Sequence, residues 1–392
     1  MKIGVFFGSR NPEHDISIIT GQLIISGLRG LGYEVVPVYL SKKGEWLISE
    51  ELGNIKKFSD PNEKIDAAKY GGYTLDLSKS VGKMVFRKSG ILSKEIIIDL
   101  AFPALHGLNG EDGTIQGLFE LTGVPYVGCD VASSAITMDK ILTKQFYLQN
   151  GAPTKNFLFF SANEWEARAD QYLEKIRNEL KMPVFVKPAS LGSSIGLAKA
   201  RNEKELKQAI EVAFRYGERV LIEEAVENLM DLTCAVLGNT EPVASLLQES
   251  IYTKDLLSYE DKYLNDGGSQ TGKSTKSVVI PARLDPQTTE KIRQMAVDVF
   301  KKLGCSGTAR VDFLYDTNSR EFFSTEVNTL PGTLYHHLWE KSGVRLSELL
   351  IRLITLAEER HKQKNSFITT FESDILKTAN STKLHLKKDK NQ

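Results

Sequence analysis

The stretch Phe185-Val186-Lys187-Pro188-Ala189-Ser190-Leu191-Gly192-Ser193-Ser194-Ile195-Gly196 sets a glycine- and serine-rich loop after an apolar, strand-like run. Its glycines can bend the backbone tightly, so that N–H groups and hydroxyls approach an anion, and Lys187 adds a fixed positive charge. A second apolar run, 197–200, follows before a helix near Asn202, which predicts a strand–loop–strand hairpin. We interpret the loop as a lid over phosphates, with an ordinary surface hairpin as the alternative, because short Gly/Ser motifs often match by chance.

The composition of the chain is typical of a soluble globular protein. The 392 residues are enough for two to three domains, and 50 basic residues balance 50 acidic ones. Because the chain has no overall positive charge, we expect no nucleic-acid partner and no membrane partner. The three cysteines, Cys129, Cys234 and Cys305, form no C-x-x-C pair, which indicates neither a disulfide framework nor a structural zinc site.

The N-terminal apolar run, residues 3–7, is shorter than the core of a signal peptide. Elsewhere, too, no apolar run approaches the roughly 20 residues needed to span a bilayer. We therefore expect a cytoplasmic protein.

The order of apolar runs predicts an α/β fold. A strand at 3–7, a helix at 13–31 and a strand at 33–40 have the βαβ rhythm of a parallel sheet. Further on we expect one strand at 96–102 and one helix at 132–148. We place domain boundaries so that the chain divides into an N-terminal α/β domain (1–129), a central unit with the opening loop (130–224), a C-terminal unit (225–360) and a flexible basic tail (361–392).

A charged pattern lies on two predicted strands, in Arg310-Val311-Asp312 and Glu326-Val327-Asn328. For a turn centred on Asn318-Ser319 we expect Asp312 opposite Glu326 and Arg310 opposite Asn328, with all four side chains on one face. Two facing carboxylates repel each other, and oxygen ligands on a rigid hairpin suit Mg²⁺ that is held jointly with substrate phosphates. The alternative is a structural salt bridge from Arg310, and a slip of one residue would separate the two acids.

Two other stretches begin helices. The glycine-rich turn 106–113 opens a helix whose N-terminus can hold an anion, although Asp112 could simply cap it. Glu13-His14-Asp15 also starts a helix after a strand, and alone it would only complement the helix dipole.

A third glycine-rich stretch, 267–274, fits the Walker A pattern. That pattern needs a buried strand before it and a helix after it, and the neighbouring sequence provides neither. We interpret this match as a false one within a flexible insertion.

Taken together, these motifs resemble the D-alanine:D-alanine ligase family of ATP-grasp enzymes, from the N-terminus to about Arg360. The motifs that carry the resemblance occur in order at 7–17, 106–117, 138–140, 185–196, 259–263, 310–312 and 326–332. The resemblance implies a three-domain ATP-grasp fold with ATP between the second and third domains. It also implies ligation of two D-alanines through an acyl phosphate for peptidoglycan synthesis, with ATP, two Mg²⁺ ions (or Mn²⁺) and a homodimer.

The resemblance also implies a role for each residue at a matching position. On the nucleotide side it implies phosphate or nucleotide contacts from Lys140, Lys187, Ser194 and Lys262, adenosine contacts from Glu223 and Asp231, and Mg²⁺ ligands from Asp312, Glu326 and Asn328. On the amino-acid side it implies that Glu13 receives the first ammonium, that Ser193 and Tyr263 link loops above it, that His106 and Thr333 contact substrate, and that Arg310 and the N–H of Gly332 stabilise the tetrahedral intermediate.

The sequence departs from the family pattern in three places. Asp231 lies one residue further from Glu223 than expected, and the loop after Tyr263 is longer. The segment after Gly332 is shorter and lacks the serine that would hold the second substrate's carboxylate, which leaves backbone amides, Thr333 or the run Tyr335-His336-His337. A relative with another acceptor (D-lactate, D-serine or another amino acid) and a non-catalytic nucleotide-binding regulator are therefore the alternatives.

The two candidate phosphate-binding lysines can be compared directly. Lys187→Ala should weaken nucleotide use by about one to two orders of magnitude, because it removes a charge-assisted contact of about 1.5 to 3 kcal/mol. Lys273→Ala, in the Walker-like match, should change ATP affinity little. Measuring the KM for ATP of both variants checks the assignment, and the reverse ranking would contradict it.

Overall fold

The chain is described by a computed structural model that covers residues 1–60, 65–88, 94–192, 195–251 and 278–373. These residues form a mixed α/β structure with four sheets, which agrees with the predicted fold class. The strands are β1 Lys2–Gly8, β2 Glu34–Leu40, β3 Trp46–Ile48, β4 Tyr73–Leu75, β5 Met84–Lys88, β6 Glu95–Ile98, β7 Leu100–Pro103, β8 Phe157–Ser161, β9 Val184–Pro188, β10 Ala198–Ala200, β11 Arg219–Glu224, β12 Leu229–Gly238, β13 Val243–Ser250, β14 Val278–Val279, β15 Gly307–Asp316 and β16 Phe322–Asn328.

Helices cover or flank these sheets. The α-helices are α1 His14–Gly30, α2 Lys56–Ser59, α3 Ala67–Tyr70, α4 Thr114–Thr122, α5 Val131–Met138, α6 Lys140–Asn150, α7 Ala162–Glu179, α8 Glu203–Ala213, α9 Pro286–Lys302, α10 His336–Lys341 and α11 Leu346–Lys364. Short 3-10 turns cover Glu50–Gly53 and Gly332–Tyr335. In the described part of the chain, no helix is long and apolar enough to cross a membrane.

The first sheet has the order β3-β2-β1-β7, with β1 parallel to both β2 and β7. This arrangement is the βαβ unit predicted from residues 3–40. Six of the seven residues of β1 are buried, as expected for a central parallel strand that is covered on both faces. Buried residues of β1, α1 and α11 belong to one hydrophobic core, so the last helix of the described chain packs beside its first strand.

The predicted single strand at 96–102 is wrong, because Asp99 interrupts it and divides it into β6 and β7. Its backbone N–H donates to Lys2 O, and its carboxylate accepts the Lys2 N–H. The residues before the break belong to β6, which joins the three-stranded sheet β4-β5-β6, and those after it form β7 in the first sheet. Asp99 thus ends one strand and anchors the start of β1.

The predicted single helix at 132–148 is also wrong, because Asp139 divides it into α5 and α6. The backbone of Asp139 is extended (φ −92°, ψ 109°), and its carboxylate accepts hydrogen bonds from the N–H groups of Ile141 and Leu142. An aspartate in this role caps the N-terminus of a new helix. The break therefore fixes the start of α6 at Lys140.

The remaining two sheets carry the other predicted motifs. The sheet β10-β9-β11-β8 contains the predicted hairpin, with Ala198 opposite Val186 across its two strands. The sheet β14-β13-β12-β15-β16 contains the acidic pair of strands. Each sheet lies within one of the predicted domain segments, whereas α11 continues to Lys364, four residues into the predicted tail.

The contact between α1 and β1 gives a stability test. A Cβ added at Gly21 would lie 2.7 Å from Cβ of Phe7. Phe7 is fully buried, so this atom has little room to move away. Gly21→Ala should therefore destabilise the protein by about 1 to 3 kcal/mol through overpacking.

Gly30→Ala is the matched control in the same helix, since a Cβ there meets no atom within 4 Å. It should be neutral, or stabilising by up to about 1 kcal/mol through helix propensity. Chemical denaturation of both variants measures the difference, and equal effects at the two positions would contradict the packing argument.

Candidate active site

Two lysines and one carboxylate form a buried cluster at the end of β9, the strand that leads into the glycine-rich loop. Lys187 on β9 and Glu223 on β11 share a face, because Leu221 is directly opposite Lys187 and Glu223 is two residues further along. Glu223 pairs through one oxygen with Lys187 and through the other with Lys144 of α6. The Lys144 ammonium also donates to Thr154 Oγ1 at 2.8 Å.

The charges in this cluster stabilise one another against burial. Burial opposes ionisation of Glu223, but Lys144 and Lys187 outweigh it and lower the pKa of the carboxyl to about 2. Burial also lowers the pKa of Lys144, whereas for Lys187 the charges of Glu223 and Glu326 outweigh burial and raise the pKa. Asp231 also acts on Lys187, which places its charge near the same cluster.

Lys140 connects the loop after β9 to the last sheet. Its Nζ donates to Leu191 O at 2.8 Å and lies 3.6 Å from Glu326 Oε1. Asp139, which caps the helix at this point, pairs with Arg219 and accepts a hydrogen bond from Ser190 Oγ at 3.3 Å. The first turn of α6 is therefore bound to the start of the glycine-rich loop at Ser190 and Leu191, and to the two neighbouring sheets through Arg219 and Glu326.

The predicted pairing on β15 and β16 is confirmed: Asp312 lies opposite Glu326, and Arg310 lies opposite Asn328. However, the turn alone does not produce it. Nearer the turn Phe313 pairs with Ser324, and the register shifts by one residue between these pairs, so that a β-bulge at Thr325 brings Glu326 opposite Asp312.

The salt bridge considered as the alternative is also present. Arg310 Nε lies 3.0 Å from both carboxylate oxygens of Asp312, and Nη2 lies 2.8 Å from Oδ2. Asn328 Nδ2 and Thr233 Oγ1 donate to the same carboxylate, at 3.2 and 3.0 Å. Asp312 is thus held in place by three side chains.

The oxygens of Asp312, Glu326 and Asn328 suit a divalent cation that also binds phosphates. Among the described residues, no group of three or more His, Cys, Asp and Glu side chains could surround a metal ion on its own. Two carboxylates and one amide leave most of the coordination shell open, which fits Mg²⁺ shared with a nucleotide.

Three loops meet at Glu13, which is 8% exposed just before α1. A side chain at Gly107 would collide with the Glu13 carboxylate, and a Cβ at Gly192 would lie 3.0 Å from it. The left-handed Gly107 (φ 63°) and Gly192, which has no side chain, therefore let both loops approach this carboxylate closely. Burial and the charge of Glu13 raise the pKa of the neighbouring Glu111 to about 7.

His106 joins the first sheet to the segment after β16. It is 4% exposed, burial lowers its pKa to about 4, and it donates to the backbone of Leu330. In this neutral ring the other nitrogen, Nε2, is an acceptor, so Thr20 Oγ1 donates to it at 2.8 Å. The same hydroxyl accepts the N–H of Thr333 at 3.0 Å, which completes a chain of hydrogen bonds across the site.

The segment after Gly332 has an unusual backbone. Thr333, Leu334 and Tyr335 all adopt left-handed conformations, with φ of 48°, 56° and 50°. Such backbone is costly for residues other than glycine and persists only where the surroundings fix it. Here the buried Tyr335 ring stacks under Arg310, with 5.0 Å between the guanidinium carbon and the ring centroid.

His337 is not available as a charged contact at neutral pH. Burial lowers its pKa to about 4, and its Nε2 bonds Gln248 Oε1 at 2.7 Å, so Nε2 carries the proton. A charge-assisted contact from His337 to an acceptor carboxylate would therefore need a pH well below 6.5, the pKa of an unperturbed histidine.

The other predicted residues fall into two groups. Gly332 and Thr333 lie beside Thr20 in the turn just described, and Asp231 lies on β12. Ser193, Ser194, Lys262 and Tyr263, together with the Walker-like stretch 267–274, lie outside the described residues, so their roles stay predictions.

Two family models match the chain: the D-ala D-ala ligase N-terminus over residues 2–129 and the D-ala D-ala ligase C-terminus over residues 146–355. The chain belongs to the D-alanine–D-alanine ligase family. A relative named D-alanine–D-alanine ligase, from Caldicellulosiruptor bescii, is 40% identical over an alignment of 375 residues. The match covers 93% of this chain and 97% of the relative.

Solved structures of ligases from this family share the fold. The D-alanine-D-alanine ligase from Coxiella burnetii matches with a TM-score of 0.75 and 29% identity, over 93% of this chain and 97% of its own. The VanG D-Ala:D-Ser ligase from Enterococcus faecalis matches with a TM-score of 0.75 and 32% identity, over 91% of this chain and 99% of its own. The predicted ATP-grasp fold is confirmed.

Three residues of this ligase that the sequence reading did not single out are Thr20, Glu111 and Lys144. Glu111 accepts N–H hydrogen bonds from Gly107 at 2.9 Å and from Leu330 at 3.1 Å, and so connects two loops of the site. A usable signal existed only for Lys144, which lies four residues after Lys140 and therefore on the same face of α6. The contacts of Thr20, and that of Glu111 with Leu330, join segments distant in sequence, and no spacing indicates them.

The hydroxyl of Thr20 provides a test of this connection. Thr20→Val keeps the shape but removes the hydroxyl that accepts the Thr333 N–H and donates to His106 Nε2, which should cost about 1 to 3 kcal/mol of unfolding free energy. Thr355→Val is the control, since the exposed Thr355 hydroxyl only donates to Ile351 O of its own helix. Chemical denaturation measures both, and an equally small change in the two variants would contradict the linking role of Thr20.

Proposed function

We propose that this chain is an ATP-dependent, ADP-forming D-alanine–D-alanine ligase that makes the dipeptide for peptidoglycan synthesis. The observation that carries the proposal is the meeting of three features: the cations Lys140 and Lys187, the facing carboxylates Asp312 and Glu326, and the carboxylate of Glu13. The names of the relatives support the same substrates. ATP and D-alanine are thus the ligands that we assign to the site.

On this proposal the ATP phosphates lie between Lys140, Lys187 and the face of β15 and β16. Asp312, Glu326 and Asn328 would hold two Mg²⁺ ions, or Mn²⁺ in their place, which neutralise phosphate charge when bound. Lys262 would reach the γ-phosphate, Ser194 the phosphates and Asp231 the adenosine end. Glu223, whose two oxygens pair with Lys144 and Lys187, would hold these lysines in place instead of contacting adenosine. A phosphoryl transfer of this kind depends on positioned charge rather than on a covalent nucleophile.

The first D-alanine would place its ammonium at Glu13, beneath the loops that carry Ser193 and Tyr263. His106 and Thr333, which Thr20 connects, would contact the substrate. The substrate carboxylate would attack the γ-phosphate and release ADP, which gives the acyl phosphate. The amine of the second D-alanine, after losing a proton, would then attack the carbonyl carbon, and the tetrahedral intermediate would release inorganic phosphate as the peptide bond forms. Arg310 and the N–H of Gly332 would stabilise the resulting tetrahedral oxyanion, and Asp312 already fixes the orientation of that arginine.

The second substrate is proposed to be D-alanine. A regulator that only binds nucleotide would have no use for Arg310 held in place by Asp312 and Tyr335. We also propose a cytoplasmic location, where ATP is available, and a homodimer, in line with the family resemblance.

Product analysis tests this function. Phosphate release from ATP should depend on added D-alanine, and mass spectrometry should find D-alanyl-D-alanine when D-alanine, D-serine and D-lactate compete. A product with only D-lactate or D-serine would replace the proposed acceptor, and ATP binding without any product would favour the regulator.

The metal assignment has its own test. Glu326→Gln should lower turnover strongly at limiting Mg²⁺, because it removes one charge of the facing pair. Glu321→Gln, at an exposed position just before the same strand, is the control and should keep normal turnover. Steady-state rates across a Mg²⁺ titration measure both variants, and near-normal turnover of Glu326→Gln at limiting Mg²⁺ would contradict the assignment.

A further inference from the structure

Lys144 is a buried charge for which the proposed reaction gives no role. Its side chain is 2% exposed, whereas that of Lys187 is 13% exposed. Both ammonium groups pair with Glu223, which is itself 1% exposed and uses one oxygen for each. Only Lys187 of the two is therefore open enough to meet a ligand directly.

The charges of this cluster can be counted. Two lysines and one carboxylate leave one net positive charge, whereas Lys187 and Glu223 alone would form a neutral pair. In a protein interior two opposite charges in contact attract each other strongly. If Glu223 were paired with Lys187 alone, its carboxylate would therefore compete with any phosphate for the Lys187 ammonium. Lys144 divides the charge of that carboxylate between two cations.

The position of α6 supports a link to the nucleotide. Lys140 and Lys144 lie one turn apart on the same helix face, and the charge of Glu326 acts on Lys144 as well as on Lys187. The cluster thus borders the carboxylates assigned to the metal. A purely structural role for Lys144, in which it only satisfies a buried carboxylate, is the alternative that a test must separate.

We propose that Lys144 is a positioning residue for nucleotide binding: by neutralising Glu223 it leaves the charge of Lys187 available to the phosphates of ATP. The inference rests on the proposed function, because that function assigns the phosphates to Lys187. Lys144 itself touches neither substrate.

The test measures binding of a non-hydrolysable ATP analogue with Mg²⁺ by calorimetry, together with KM for ATP and for D-alanine. Lys144→Met should weaken analogue binding and raise KM for ATP by about tenfold, the loss expected when one charge-assisted contact is weakened. KM for D-alanine should stay unchanged. A structural defect would instead reduce the active fraction without separating the two KM values.

Lys155→Met is the matched control. Lys155 Nζ lies 3.4 Å from Oε2 of Glu224, the next residue of the same strand, whose side chain points to the opposite face. This variant also removes a lysine from a buried carboxylate, but it should leave analogue affinity unchanged.

A double-mutant cycle with Glu223→Gln gives the decisive comparison. If Lys144 acts by neutralising Glu223, then Lys144→Met should weaken analogue binding in the natural chain and have little effect when Glu223→Gln is already present. An equal loss in both backgrounds, or no loss in the natural chain, would overturn the proposal. Lys144→Gln lacks the same charge but can still donate to Glu223, and it replaces Lys144→Met if that variant does not fold.

The cycle is independent of turnover. If the natural chain binds the analogue but releases no D-alanine-dependent phosphate, the proposed function fails while the role of Lys144 is still decided by binding. If phosphate release is normal and the cycle shows no coupling, only the role of Lys144 fails.

Discussion

The facing carboxylates of Asp312 and Glu326 are the interaction on which the rest of the site depends. Two negative charges on neighbouring strands repel, so each needs a cation, and each receives one from a different direction. Arg310 holds Asp312 from the same strand, and Lys140 approaches Glu326 from α6. Because Lys140 also donates to Leu191 O, the charge on the last sheet is linked to the first residues of the glycine-rich loop.

The same principle extends to the buried lysines and to the amino-acid side. Glu223 is stable as an anion only because Lys144 and Lys187 share it, whereas burial and the charge of Glu13 raise the pKa of Glu111 to about 7. Opposite environments thus give these two buried carboxylates different pKa values, which suits a site that must bind both a polyanion and an ammonium.

The sequence predicted the features that depend on local patterns. The alternation along β15 and β16 placed Arg310, Asp312 and Glu326 on one face, and the Gly/Ser loop was placed in a hairpin. It did not predict the bulge at Thr325 that sets this register, because a bulge depends on packing across the sheet rather than on residue type. It also joined α5 to α6, because Asp139 and Lys140, between the apolar Met138 and Ile141, resemble solvent-facing positions of one helix. Thr20 and Glu111 remained hidden, since Thr20 bonds His106 and Thr333 and Glu111 bonds Leu330, each more than 80 residues away in the chain.

The most direct test of this account follows the oxygen atoms of D-alanine. With D-alanine labelled with ¹⁸O in its carboxyl group, attack of that carboxylate on the γ-phosphate transfers one labelled oxygen to inorganic phosphate for each dipeptide formed. We expect mass spectrometry to find one ¹⁸O in each released phosphate. Unlabelled phosphate, or label found in AMP instead, would contradict an acyl phosphate at this site.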